Sequence, residues 1–351
     1  MPNHLSDIAT RHQVYLERLK SGEVKKLQPE LIKLEKVIVE VVNGLRVDNL
    51  SDLTKSQLGK VLVELRKAQM SVMVDLVAEL GTTFEGVAGY EAAFEAKAIE
   101  AAAAVKLSVP AAREAYAAAA ARPVSATGEL LKDFVEDWTT AEMTAVDNLL
   151  SKGYADGWTN QQLIRALRGT KKLEYKDGLI TRIGRNAEAV VRTAIQHVAS
   201  TARMETWAKN ADIVEKYKIV ATLDNVTSQV CRSLDGQVFP LGKGPIPPFH
   251  VRCRTTTVAV LDPKFDFLDE GATRSSSEGY VPANLTYYEW LKTQSADFQD
   301  SAIGEPLGKL FRDGGLSVAE FAKLNLGRNF EPLTLLQMRK LEPLAFARAG
   351  L

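Results

Sequence analysis

The hydrophobic period of the chain changes near residue 216, and that change limits the fold. Through residue 215 apolar side chains recur at steps of three and four, as on helix faces. From residue 216 the pattern shortens to that of strands. The runs 216–223 and 254–261 are rich in β-branched residues and flank a crossing that contains Gly242, Gly244, Pro245, Pro247 and Pro248. The expected class is α+β and predominantly helical, with long N-terminal helices, a small α+β domain with a short sheet, and a short helical tail. The expected divisions are an N-terminal helical arm or bundle at 1–125, serving as a docking region, the α+β domain at 126–270, and the tail at 271–351.

Within the helical part, Leu31, Leu34, Ile38, Val41 and Leu45 share one face, and Pro29 suits a first turn, where a missing N–H costs nothing. A second helix is expected over 54–80, with Gly81 as the residue just past its end. An alanine-rich stretch at 90–121 follows and is punctuated by Arg122-Pro123. Thr159 and Gln162 form a capping pair, Gly169 ends that short helix, and a long helix is expected over 182–209. The run 274–279, Arg-Ser-Ser-Ser-Glu-Gly, reads as a linker or exposed loop. Capping pairs Thr286/Glu289, Ser317/Glu320 and Thr334/Gln337 open three short tail helices, which offer little core of their own.

Charge narrows the function classes. Lys+Arg and Asp+Glu are both 44, a formal net charge of zero, which argues against binding nucleic acid through bulk electrostatics. The one basic patch holds Arg165, Arg168, Lys171, Lys172, Lys176, Arg182 and Arg185 against Glu174 and Asp177. It is either a solvated face or a contact for phosphates or an acidic partner. The polar start carries no apolar signal core, and no apolar run is long enough to span a bilayer, so the expectation is cytoplasmic synthesis and no membrane. Two cysteines do not make a disulfide framework.

Those two, Cys231 and Cys253, lie with His250 in the most informative stretch, 227–255. Sulfur and imidazole suit zinc, and His250 and Cys253 are three residues apart. A closed structural site wants a fourth ligand, for which Asp224 and Asp235 are the nearest acidic choices. The competing readings are two small buried thiols with a histidine bonded to backbone, or a disulfide. No cofactor is expected, with zinc as the ion the set would take. Arg232 and Arg254 stand ready to pair with Asp224 and Asp235, Gly236 suits a turn of positive φ, and the prolines pre-order the approach to His250.

The stretch resembles the signature of the Mu F-like phage minor head (head morphogenesis) protein family. Thr227, Ser228, Cys231, Asp235, Gly236, Pro247, Pro248, His250, Cys253 and Arg254 match it; Val251 stands where the family often has proline, and Thr255 where it has a further cysteine. The helix at 187–193 also resembles the family, with Ala194 in place of a usual glutamate, and the likeness covers about 140–262, with a tail of familiar type. The resemblance implies a structural minor capsid protein of a tailed bacteriophage. It would reside in the virion at the portal vertex and assist head assembly, DNA packaging or DNA ejection. Its partners would be the portal protein, with the major capsid or scaffolding protein and packaged DNA as further candidates. The alternative is a nucleic-acid-binding or toxin-like enzyme packaged in the head. No catalytic residue is expected: the sequence shows no Ser-His-Asp order, phosphate loop or His-Glu-x-x-His, and 275–351 contains neither His nor Cys.

Overall fold

Apolar stripes of the expected period build fourteen α-helices among the described residues, which in this computed structural model are 4–351; the first three residues of the polar start lie outside them. In chain order the first seven helices are α1 (Leu5–Lys26), α2 (Gln28–Asn43), α3 (Lys55–Ala103), α4 (Ala112–Ala121), α5 (Leu131–Ala155), α6 (Asn160–Arg168) and α7 (Leu179–Ala208). The expected α+β class, mostly helical, is what the structure has.

Several local readings hold for the reasons given. Pro29 sits in the first turn of α2. Thr159 accepts from the Gln162 amide, 3.2 Å, while Gln162 Oε1 accepts from the Thr159 N–H, 2.8 Å. Gly169 ends α6 with φ 91°. One boundary fails. Gly81 does not end a helix: α3 continues for 49 residues, about 74 Å at 1.5 Å per residue. Its buried stripe runs straight through, from Leu76 and Leu80 to Phe84, Val87 and Ala88. Burial of that stripe offsets the ~1 kcal/mol that a mid-helix glycine costs. The left-handed cap falls instead at Ala104, φ 55°, within the alanine-rich stretch, and the chain restarts as α4 after Pro110.

Alanines here serve close approach. Ala88, Ala92 and Ala96 of α3 and Ala115 and Ala119 of α4 are buried, and a Cβ built on Gly89 would stand 2.6 Å from Ala112 Cβ. Gly89→Val should therefore push α3 and α4 apart and cost about 1–3 kcal/mol, read as a lower urea midpoint at unchanged slope. Gly86→Ala, where a Cβ meets nothing within 4 Å, is the control expected to be neutral or stabilising.

The expected boundary at 125 does not divide two cores. Leu16 of α1 and Leu76 to Ala88 of α3 pack with Ala187 to Ala202 of α7 in one cluster, and Leu34, Val61, Leu65 and Ile183 share another. A buried ion network crosses the same seam. His12 Nε2 lies 2.7 Å from Glu91 Oε1, Arg203 Nη2 3.3 Å from Glu91 Oε2, and Arg203 Nε 2.7 Å from Glu95 Oε1.

After α7 come β1 (Val214–Val220), α8 (Gln229–Leu234), β2 (Val238–Pro240) and β3 (Thr256–Leu261), in an antiparallel sheet of order β2-β1-β3. The two expected strands are thus direct neighbours, with Tyr217 opposite Ala259 and Ile219 opposite Thr257. The third, β2, is too short to show a period. Met204 and Trp207 of α7 cover the sheet's Val214, Tyr217 and Ile219.

The expected loop at 274–279 is a hairpin of β4 (Thr273–Ser276) and β5 (Gly279–Pro282). The tail has six helices where capping pairs marked three: α9 (Tyr287–Lys292), α10 (Ala296–Ile303), α11 (Glu305–Asp313), α12 (Val318–Leu324), α13 (Leu335–Leu341) and α14 (Pro343–Arg348). All three capping boxes form. The tail does own a core, centred on Tyr287, Tyr288, Trp290, Phe311, Phe321 and Phe346, and Leu223 just past β1 joins it. No helix among the described residues is long and apolar enough to cross a membrane.

Candidate functional site

The stretch 227–255 folds back on itself between β1 and β3. Ser228 caps α8, its hydroxyl accepting from the Cys231 amide at 3.4 Å, so Cys231 enters the interior from the first turn. Pro247 and Pro248 are buried and lead to His250. The turn that follows rests on α7: Thr193 Oγ1 accepts from the Arg252 N–H at 2.9 Å, and Gln196 Nε2 donates to the Thr255 carbonyl at 3.0 Å. Arg252 has φ 62°, in the left-handed region, and these bonds hold it there.

This brings the three candidate donors together. Cys231 Sγ lies 3.7 Å from Cys253 Sγ and 3.3 Å from His250 Nε2, and all three donor atoms fall within 4.8 Å of one another. Both thiols are free and buried. Hydrogen bonding to Cys253 and burial push the Cys231 thiol well up. Burial would raise Cys253 too, but bonds from Cys231 and His250 outweigh it and hold that thiol well down. Burial lowers His250, and the neighbouring Cys253 more than reverses this. A cavity of about 210 Å³ opens beside the cluster, lined by Thr227, Ser228, Cys231, His250, Arg254 and Thr255 among others.

The acidic residues nearest in sequence are spent elsewhere, which corrects the expectation of a fourth ligand from either. Asp224 receives Arg254 in a bidentate pair, 2.7 and 3.1 Å, and also bonds to the Thr227 hydroxyl at 2.9 Å. Burial alone would raise the Asp224 carboxyl; the Arg254 guanidinium outweighs it and holds it below the usual range. Asp235 is buried and accepts from the Ala221 and Tyr287 amides, each at 2.7 Å, and from Arg274 at 2.8 and 3.0 Å. Arg274 also donates to the Ala221 carbonyl. Asp235 thus ties β1, the β4–β5 hairpin and the start of α9 at one point. Arg232, the expected partner, instead donates to the Ala302 carbonyl and lies over the Tyr287 ring. Gly236 has φ 81°, as expected, and a Cβ there would meet Thr286 at 2.8 Å.

Arg274 is the residue the sequence hid: it lies in a serine run read as exposed, yet it is only 2% exposed. Thr193, Gln196 and Tyr287 were missed as well, since nothing in their spacing marks long-range bonding.

The basic patch forms elsewhere, on α6, the α6–α7 loop and the first turns of α7. Arg168 pairs with Glu35 at 2.6 Å and Lys176 with Glu174, while Arg165, Lys171, Lys172 and Arg182 are exposed and make no ion pair among the described residues. The patch and the thiol cluster share no residue, but they touch at one point, where Arg252 donates to the Arg185 carbonyl at 2.9 Å.

The family model described as Phage Mu protein F like protein matches residues 144–258, from within α5 into β3. The match is roughly a third of the chain and contains the whole cluster, its α7 support and the basic patch. Neither the curated proteins nor the solved structures yield a match.

Proposed function

With residues 144–258 belonging to the Mu F-like family, we propose that this chain is a structural minor head protein of a tailed bacteriophage, bound at the portal vertex and acting in head morphogenesis. One observation carries the structural reading. Four charged side chains of the 224–255 stretch are committed to joining parts of this chain: Asp224 pairs with Arg254, Asp235 with Arg274 and the start of α9, and Arg232 reaches α10. A buried carboxylate with four donors is a joint, since its lone pairs are already used. The portal and other head proteins are the partners that such a role requires, and the virion is the place. The test is to purify procapsids and mature particles and count copies of this chain against the portal by quantitative mass spectrometry. A low, fixed ratio in both supports the reading. Absence from both would refute it.

A second reading, compatible with the first, is contact with packaged DNA at the α6–α7 loop. It is favoured by the unpaired cations Arg165, Lys171, Lys172 and Arg182 and by the exposure of every residue from 171 to 177. The double variant Lys171→Glu with Lys172→Glu should weaken duplex binding and reduce the slope of log K against log salt by about 2. Fluorescence anisotropy across a salt series measures it, and an unchanged slope would exclude the patch as the contact.

A further inference from the structure

We propose that Cys231, His250 and Cys253 hold a zinc ion with three protein donors and a fourth position open to the adjoining cavity. The spacing of the donors is the first argument. Zinc–sulfur bonds of about 2.3 Å at tetrahedral angles place two sulfurs about 3.8 Å apart, with sulfur and nitrogen slightly closer. The observed separations are 3.7 Å between the sulfurs and 3.3 Å from Cys231 Sγ to His250 Nε2.

The orientation of the histidine is the second. His250 Nδ1 lies 2.8 Å from the Val251 carbonyl oxygen, so Nδ1 carries the proton and donates it there. Nε2 is then the nitrogen that faces the sulfurs and that gives up its proton when a metal binds, the arrangement in which a metal-bound imidazole is usually held. Packing supplies the third. The three donors come from α8 and from the 250–253 turn, each anchored independently, by the Ser228 cap on one side and by Thr193 and Gln196 of α7 on the other. Their positions are therefore set before any ion arrives.

Among the described residues no fourth protein ligand is grouped with these three, and Asp224 and Asp235 are committed to arginines. The remaining direction is the cavity of about 210 Å³, large enough for water. Thr255 lines it, with its hydroxyl beside Cys231. A cysteine at 255 would close the set. The proposal concerns these side chains alone and does not depend on the assignment to the phage head.

The experiment uses the full chain, purified under reducing conditions without chelator. Elemental analysis should give about one zinc per chain, and cobalt substitution should give the thiolate charge-transfer and visible bands of a tetrahedral site. His250→Cys should retain the zinc, whereas His250→Ala should lose it with an unchanged far-ultraviolet circular dichroism spectrum. Thr255→Cys should resist a competing chelator at least about tenfold better than the parent chain. Zinc at background level, with both thiols of the folded chain reacting as free thiols, would overturn the proposal. So would a reduced preparation whose intact mass shows Cys231 joined to Cys253, or a Thr255→Cys chain that binds zinc no more tightly.

Discussion

Arg203→Met is expected to cost at least about 3–5 kcal/mol, a large part of the 5–15 kcal/mol by which a typical native protein is stable. Arg203 is 0% exposed and faces two carboxylates that have almost no contact with water, Glu91 at 0% and Glu95 at 8% side-chain exposure. Removing the guanidinium leaves Glu91 with only His12 and Glu95 without its cation. The Thr256 hydroxyl and Thr257 carbonyl on β3 lose their donor too. The change should appear as a collapse of the urea midpoint followed by circular dichroism. A triple variant that adds Glu91→Gln and Glu95→Gln should recover much of the loss, because no uncompensated charge is then buried. If Arg203→Met alone shifts the midpoint by less than about 1 kcal/mol, the network is not what locks α1, α3 and α7 to the sheet.

The same network fixes the sign of a pH dependence. Burial alone would push Glu91 up, but the His12 bond and the Arg203 charge hold it below the usual glutamate range. A group depressed in the folded state contributes stability that is present above its unfolded value and lost as pH falls through its folded value. Acid sensitivity from Glu91 should therefore set in below about pH 4. Glu95 runs the other way: burial pushes it up by more than Arg203 brings it down. Its ionised form is penalised in the fold, and that penalty grows as pH rises through its raised value. Glu95→Gln is accordingly the milder change at neutral pH, and Glu91→Gln the more damaging one.

Arg274→Met should be comparable in free energy, about 3–5 kcal/mol, but different in location. Its guanidinium is the cation for the fully buried Asp235, and through it the β4–β5 hairpin and α9 are fastened to β1. Loss of the pair should release the hairpin and tail before the helical body. Limited proteolysis should then cut first near 270–285, with hydrogen exchange rising across α9 to α14 and little in α3 or α7. Adding Asp235→Asn removes the stranded charge while keeping acceptors for the Ala221 and Tyr287 amides, and should restore part of the protection. Uniform loss of protection along the whole chain would contradict this placement.

What could be read from the sequence was what is local. The capping pairs at Thr159, Thr286, Ser317 and Thr334 form because both partners lie within one turn, and the stripe at Leu31, Leu34 and Ile38 is buried because a helix repeats it. The chemistry of Cys231, His250 and Cys253 was visible as residue types. Their meeting depends on Thr193 and Gln196, more than fifty residues upstream of the bonds they make. Arg274 was hidden for the same reason: a single arginine in a serine run has no period, and its partner lies 39 residues away. Gly81 misled because glycine marks a helix end only where the chain turns left-handed, and at 81 the apolar stripe simply continues.

Two rods, α3 and α7, each run through three of the oily interiors of this molecule: one around Leu34 and Ile183, one around Phe84 and Val198, and one around Ile99 and Trp207. Water that invades any of these rooms must loosen a beam on which the others rest. Heat should thus find no compartment of the helical body to empty first, and should melt it in one sharp step. Only the tail, with its own aromatic interior and its fastenings gathered on Asp224, Arg232 and Asp235, is free to leave on a separate schedule.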